Sequence, residues 1–262
     1  DRFNFFRSKF SNLNQVINSN INPKAIIFDL GLSSIQLLDN QRSFSFNSKS
    51  FLSMEMGINK YTAYNVINSL DKRYLSNIIK IFGEEKDGKI IANAINKHRI
   101  KNSIKTSEEL SKIIKSAKKN YNNFKKNPAT KTFQAIRIFV NQELTELILG
   151  LIEATRILKK DGILIVVSFH SLEDKIVKYF FNLYSNLKKN PSRYLPSTEN
   201  KSQLFKLLSK KPLIPSQKEI YQNKNSRSAK LRYVIRDDNS FFYPKEFKNK
   251  FQDYFNLETI NL

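Results

Sequence analysis

The pattern of apolar and polar positions along the chain predicts buried strands alternating with amphipathic helices. Residues 25–30 (AIIFDL) and 163–167 (ILIVV) are short apolar runs, a pattern typical of strands buried in a parallel sheet. Between them, six apolar residues recur at the spacing of one helix face and predict a long helix. These residues are Phe133, Ile136, Val140, Leu144, Leu147 and Leu151. Because helix, turn and buried strand form the repeating unit of an α/β sheet, we predict an α/β fold.

Residues 39–127 have a different pattern, in which helical periodicity dominates. Thr106 and Glu109 form a capping box, and the helix that they begin is expected to extend through Tyr121 and Phe124 and to carry several lysines. These lysines either form the basic flank of a binding surface or are a solvated surface without a partner. We therefore expect an inserted helical domain over residues 39–127, between core segments at residues 1–38 and 128–262.

Weaker signals predict the structure near the two ends of the chain. Residues 3–6 are strand-like, and the polar residues 188–203 are expected to form a loop. Two closing strands are expected at residues 204–208 and 231–235. A short helix capped by Ser216 and Glu219 would join them.

Composition narrows the possible functions. The formal net charge of +22, from 45 Lys+Arg against 23 Asp+Glu, favours a polyanionic partner such as RNA or DNA. Part of the lysine excess also fits drift in an A/T-rich genome. The absence of cysteine and the presence of only two histidines argue against disulfides and a structural metal site. Without a membrane-length apolar run or a signal peptide, a cytoplasmic protein without a membrane partner is expected.

The stretch "VVSFHSLEDK" (166–175) carries the densest candidate chemistry. We expect Ser171 to cap a helix and Asp174 to reach back to its first turn. Ser168 and His170 then lie at the tip between a strand and a helix, where α/β sheets bind ligands. A serine hydrolase is a poor fit because triad residues come from separate segments and no G-x-S-x-G elbow is present. His170 either positions a substrate or pins the loop.

Five segments resemble one family in order along nearly the whole chain. They are "IIFDLGLSSIQL" (26–37), "SFSFNS" (43–48), "NPATKTFQAIRIFVNQEL" (127–144), "DGILIVVSFHSLEDKIVKYFF" (161–181) and "NSRSAKLRYVIR" (225–236). Together with "FSNL" (10–13), they resemble the bacterial 16S ribosomal RNA cytosine-N4 methyltransferases, the RsmH or MraW family. The resemblance implies a class I, Rossmann-like methyltransferase sheet with an inserted helical domain.

The resemblance also implies S-adenosylmethionine as the methyl donor and a cytosine in the decoding region of 16S ribosomal RNA, free or in the small subunit, as the acceptor. It assigns cofactor contacts to Phe10, Asp29 and Gln36. Because the cytosine amine is a weak nucleophile, an acceptor near it would aid the transfer. Asp29, His170 and Ser168 are all candidates for that acceptor, although for Asp29 the family favours a cofactor contact. Phe44 and Phe46 either stack on the flipped base or pack in the core.

Two departures from the family pattern qualify this interpretation. The family's Gly-rich cofactor turn and the acidic residue that follows its second strand have no counterpart. We therefore expect a chain that lacks its first two strands, is poorly stable alone and binds the donor weakly. Residues 52–57 (LSMEMG) also lack the acidic residues of the family loop. An impaired RNA-binding remnant is therefore the alternative function. An adenine methyltransferase is disfavoured because Asp29-Leu30-Gly31-Leu32 is not its signature. The oligomeric state is left open.

Overall fold

A computed structural model describes residues 3–18, 21–118, 127–185 and 203–260 of the protein. The strands in these residues form one four-stranded mixed sheet. Its strands are β1 (Ala25–Asp29), β2 (Ile163–Ser168), β3 (Phe205–Lys206) and β4 (Lys230–Arg236). The spatial order is β1-β2-β4-β3, with β1 parallel to β2 and the other two pairs antiparallel.

The predicted α/β class is confirmed, and both apolar runs form strands. The closing strands are also confirmed, although β3 has only two residues. The expected burial of β1 is wrong: only Phe28 of this strand is buried, and Ile27 is 63% exposed. Among the described residues β1 lies at the edge of the sheet, and the side chains of its face that carries Ala25, Ile27 and Asp29 are exposed.

Twelve α-helices accompany the strands in the described part of the chain. In chain order they are α1 (Leu13–Val16), α2 (Ser34–Leu38), α3 (Ala63–Ser69), α4 (Lys72–Phe82), α5 (Gly88–Arg99), α6 (Ser107–Ala117), α7 (Thr130–Asn141), α8 (Glu143–Ile157), α9 (Ser171–Leu183), α10 (Gln217–Gln222), α11 (Lys245–Lys250) and α12 (Gln252–Glu258). No helix in these described ranges is long and apolar enough to cross a membrane.

The chain folds as two compact units. The first comprises Asp1–Gly31 and Glu146–Gln252, and the second comprises Leu32–Thr145 and Asp253–Leu262. The first unit contains the sheet and an aromatic core in which Phe180, Phe205 and Phe247 are fully buried. At the edge of this core the Tyr184 hydroxyl accepts a hydrogen bond from the Phe247 amide at 3.3 Å. Burial raises the pKa of Tyr184 to about 12.

The second unit is built mainly from helices around an aliphatic core. Leu75, Ile78, Ile79 and Phe82 give α4 a fully buried face. The helix α5 packs closely on α4, because an added Cβ at Gly88 would lie 3.0 Å from the Ser76 carbonyl oxygen. The predicted capping box at α6 is confirmed: the Thr106 hydroxyl accepts from the Glu109 amide at 3.2 Å. Tyr121 and Phe124, expected on the same helix, lie outside the described residues.

Two predictions of local structure are wrong. The single long helix through residues 133–151 is two helices, because Gln142 adopts a left-handed conformation with φ 53° and ends α7. All six predicted face residues are nevertheless buried, so the periodicity was satisfied by two helices in succession. Residues 3–6 form no strand, and Phe3, Phe5 and Phe6 are exposed. Their run is too short to distinguish a strand from an irregular segment.

Candidate active site

The carboxyl ends of β1 and β2 meet at one edge of the sheet in the first unit. Asp29 pairs with Val167 in the parallel register, and the Leu30 amide continues the pairing by donating to the Val167 carbonyl at 3.1 Å. Gly31 follows with φ 89°, where an added Cβ would lie 3.6 Å from the Phe169 ring. The two loops that follow these strands are therefore adjacent, and ligands of open α/β sheets bind at such an edge.

Asp29 supplies a free carboxylate at this edge. Its side chain is exposed, and within the described residues the carboxylate makes no hydrogen bond or ion pair. The Glu173 carboxylate, in the first turn of α9, is by contrast used by the fold. Asp29 is instead open to solvent and can accept hydrogen bonds from a ligand or stabilise a positive charge.

Phe10 is held beside β1 by contacts with α8. It begins a 3-10 turn (Phe10–Asn12), and its 38% exposed ring lies 4.9 Å from the Phe28 ring. The neighbouring Ser11 amide donates to Oε2 of Glu146 at 3.0 Å. A Cβ at Gly150 would lie 2.7 Å from the Phe10 Cβ, so only glycine leaves room for this close approach.

Sequence reasoning missed the two supports of Phe10. Glu146 and Gly150 lie one turn apart on α8, where the surrounding residues are mostly apolar. A carboxylate followed four residues later by a glycine on one helical face was the available signal. This spacing predicts that another segment packs closely against the helix at the glycine and hydrogen-bonds the carboxylate, but it does not identify that segment.

Gln36 lies in the second unit and takes part in a capping box. Its Oε1 accepts from the Ser33 amide at 3.0 Å, and its own amide donates to the Ser33 hydroxyl at 3.2 Å. The side chain is half-buried. The capping role uses the amide oxygen of the side chain and leaves its NH₂ group as a potential donor.

Ser168 and His170 both have structural partners. Ser168 is 2% exposed and donates to the Lys230 carbonyl at 3.3 Å. His170, rather than Ser171, is the N-cap of α9, so the predicted cap was wrong by one residue. Nδ1 of His170 accepts from the Glu173 amide at 3.4 Å, which implies that the neutral ring carries its proton on Nε2.

Glu173 completes this cap from a buried position. Its Oε2 accepts from the amides of Phe169 at 2.8 Å and His170 at 3.2 Å, and its Oε1 lies 3.1 Å from Nε2 of His170. The Glu173 side chain is nearly inaccessible to solvent. This carboxylate completes the capping box of α9, and the geometry fixes the loop between β2 and α9.

The prediction that Asp174 reaches back to the first turn of α9 is wrong. It accepts from Nε of Arg232 at 2.7 Å and from Nζ of Lys230 at 2.9 Å. Burial by itself would raise the pKa of Asp174, but the hydrogen bonds and positive charges of Arg232 and Lys230 outweigh it and lower the pKa. Asp174 therefore ties α9 to β4, and β4 supplies two cations that local sequence could not assign to it.

Two further candidate segments lie in the second unit. Phe44 is buried, and the Phe46 ring packs edge-on against Phe133 at 4.8 Å, which favours the core interpretation of this pair. The 52–57 loop is pinned by Asn141, whose amide group donates to the Met54 carbonyl at 2.9 Å and accepts from the Met56 amide at 2.8 Å. The departures from the family pattern in this loop have thus not prevented an ordered conformation.

Comparisons with known proteins identify the family of this chain. The family model described as the MraW methylase family matches residues 1–237. Ribosomal RNA small subunit methyltransferase H from Caldicellulosiruptor saccharolyticus is 44% identical over 228 residues, which cover 86% of this chain and 74% of the relative. The protein of the same name from Sulfurihydrogenibium sp. is 42% identical over 238 residues, covering 88% and 75%. A third relative of that name, from Ehrlichia ruminantium, is 41% identical over 241 residues, covering 90% and 78%. The chain belongs to the MraW methylase family.

Proposed function

We propose that this protein transfers a methyl group from S-adenosylmethionine to the N4 amine of a cytosine in the decoding region of 16S ribosomal RNA. Membership of a methylase family and the names of its relatives support a ribosomal RNA substrate. The observation that carries the proposal is the free Asp29 carboxylate at the carboxyl edge of two parallel strands. Cytoplasmic location is part of the same proposal.

The donor set around β1 fits this cofactor. A partly exposed aromatic ring at Phe10 offers an apolar contact surface, and the Asp29 carboxylate complements a molecule that carries a sulfonium and an ammonium group. The Gln36 side chain offers an amide donor. We propose that Phe10 and Asp29 bind the cofactor, and a cofactor contact at Gln36, in the second unit, stays a prediction from the family resemblance.

When bound, S-adenosylmethionine would supply an electrophilic methyl group for transfer to the amine nitrogen, with the sulfonium sulfur as the leaving group. The methylated nitrogen then releases one proton to water. The protein contributes mainly by positioning the amine in line with the breaking bond. His170 and Ser168 would act by shaping the loop at the end of β2, because Ser168 is buried, His170 is half-buried, and both are hydrogen-bonded there.

Asp29→Asn in the full-length protein tests the cofactor assignment. Loss of the charge-assisted contact is expected to raise the Kd for S-adenosylmethionine by roughly 10- to 100-fold, while the melting temperature stays unchanged because the side chain is exposed. The matched control is Asp161→Asn, which alters an exposed aspartate at the opposite end of the same strand pair and should not change the Kd. An unchanged Kd with a lower kcat would assign Asp29 to the cytosine amine, and no change in either would exclude it from the site.

His170→Asn separates a positioning role from a purely structural one. Asparagine is also a good N-cap, so this variant should retain the stability that His170→Ala loses, about 1 kcal/mol. If His170 positions the substrate, His170→Asn lowers kcat despite normal melting. Normal kcat in His170→Asn would restrict the histidine to pinning the loop.

Transfer of labelled methyl groups to unmethylated small subunits tests the whole proposal. Incorporation into a cytosine that disappears in Asp29→Asn supports it. Binding of ribosomal RNA without any incorporation would favour the alternative of an impaired RNA-binding protein.

A further inference from the structure

A polar groove lies between α4 and α5 in the second unit. It has a volume of about 430 Å³, and its lining residues are Lys72, Arg73, Ser76, Asn77, Lys89, Ala92 and Asn93. Its walls come close together because Gly88 lets the start of α5 approach the backbone of α4. The packing of the two helix backbones therefore forms the groove, which does not depend on the conformations of long side chains.

The groove carries three cations and no carboxylate of its own. Lys72, Arg73 and Lys89 are exposed and make no ion pair with any of the described residues. None of the residues lining the groove carries a carboxylate. The nearest acidic residue in sequence, Asp71, is used as the N-cap of α4, where it accepts from the Arg73 amide at 2.8 Å. Three like charges converge here, which favours a polyanionic ligand.

The remaining lining residues indicate how such a ligand would be recognised. Ser76, Asn77 and Asn93 offer hydrogen-bonding groups suited to phosphate oxygens and ribose hydroxyls. The lining contains no aromatic side chain, so it lacks the stacking platform typical of sites for single-stranded nucleic acid. This combination favours the sugar-phosphate backbone of a base-paired segment.

We propose that the α4–α5 groove binds the backbone of double-stranded ribosomal RNA and holds the substrate during methylation. The inference rests on the proposed function for its substrate and adds a specific contact surface to it. The groove contributes affinity without sequence specificity, because phosphate contacts fix position and carry no base information.

Two triple variants of the full-length protein test the groove. The first is Lys72→Ala, Arg73→Ala and Lys89→Ala. The control removes the same charge from exposed positions outside the groove lining, by Lys80→Ala, Lys97→Ala and Lys101→Ala. The probe is an RNA duplex of roughly 16 base pairs. The groove variant should bind about tenfold more weakly or worse, and the slope of log affinity against log salt should fall by about 3.

The control variant should lose less than about threefold in affinity. Equal losses in both variants would mean diffuse surface charge and would overturn the proposal. An acidic protein partner is the competing occupant: if polyglutamate binding depends on the groove residues and duplex binding does not, the RNA proposal is wrong.

Methyl transfer to small subunits separates this inference from the proposed function. The groove variant should raise KM for the subunit and leave kcat unchanged. Active wild-type protein with indistinguishable variants would overturn the groove alone. Wild-type protein that binds duplex RNA through the groove but transfers no methyl group would overturn the proposed function alone.

Discussion

Two clusters of cationic side chains, one in each unit, differ in how their charge is balanced. On the α9–β4 face, Arg232 and Lys230 both hydrogen-bond the carboxylate of Asp174. In the α4–α5 groove, Lys72, Arg73 and Lys89 make no ion pair within the described residues. The net charge of +22 therefore combines cations that stabilise the fold with cations free to bind a partner. Only the second kind is expected to contribute to polyanion affinity.

The largest expected effect comes from the most buried balanced cation, Lys118. Its Nζ lies 2.5 Å from Oε2 of Glu85, and both side chains are 5% exposed. Glu85→Gln removes the carboxylate that pairs with this buried lysine and is expected to cost about 3–5 kcal/mol in the free energy of unfolding. Denaturant titration of the full-length protein measures this cost.

A double variant controls for the loss of the Glu85 side chain itself. Glu85→Gln with Lys118→Met removes both charges and should recover most of the stability, because no unpaired charge remains. A cost below about 1 kcal/mol for Glu85→Gln alone would show that Lys118 reaches solvent. The distinction between balanced and free cations would then fail in this unit.

A smaller effect is expected at Asp174, where solvent reaches Lys230 and screens part of the interaction. Asp174→Asn should destabilise the protein by about 1–2 kcal/mol at pH 7. Because the folded-state pKa of Asp174 is lowered, its stabilisation is complete above its unfolded pKa of about 3.9 and disappears as pH falls through the folded value. The wild-type and Asp174→Asn stability curves should therefore begin to converge as the pH falls below about 4.

Asp238→Asn is the matched control for this pH dependence. Asp238 pairs with Lys160 at 2.6 Å, but both side chains are largely exposed. This variant should leave stability unresolved from wild type across the same pH range. A pH profile for Asp174→Asn that stays parallel to wild type would refute the charge role of Asp174.

Sequence patterns correctly predicted the features that depend only on residues close together in the chain. The apolar runs of β1 and β2, the Thr106 cap and the position of Asp29 at a strand end all follow from local spacing. Local spacing did not identify the residue that caps α9, because His170 and Ser171 are both polar and a serine is the commoner N-cap. The break at Gln142 was also hidden, since both helices keep their apolar face buried.

Contacts between distant segments were beyond local reasoning. The partners of Asp174 lie 56 and 58 residues away, and Glu146 holds a residue 135 positions earlier. The α4–α5 groove was missed for the same reason. Lys89 of α5 lies beside Lys72 and Arg73 of α4 because Gly88 allows the two helices to pack closely. The sequence analysis placed the basic flank of this region on the helix that begins after Thr106, and not on the α4 and α5 residues that line the groove.

The smallest expected change in stability comes from substitutions that introduce carboxylates into the lining of the α4–α5 groove. Asn77→Asp and Asn93→Asp each introduce an acid four residues after a groove cation, Arg73 and Lys89 respectively. Such pairs contribute about 0.2–0.5 kcal/mol in helices, towards the low end when the cation precedes the acid as it does here. Aspartate and asparagine have similar helix propensities. The double variant should thus be slightly more stable than wild type.

The same double variant should bind duplex RNA several-fold more weakly, because the cations are now paired. Stability and RNA affinity would move in opposite directions, as expected only if the charge of this groove is left unbalanced for a ligand. Unchanged RNA affinity in a stabilised variant would instead show that the groove cations are ordinary solvated surface.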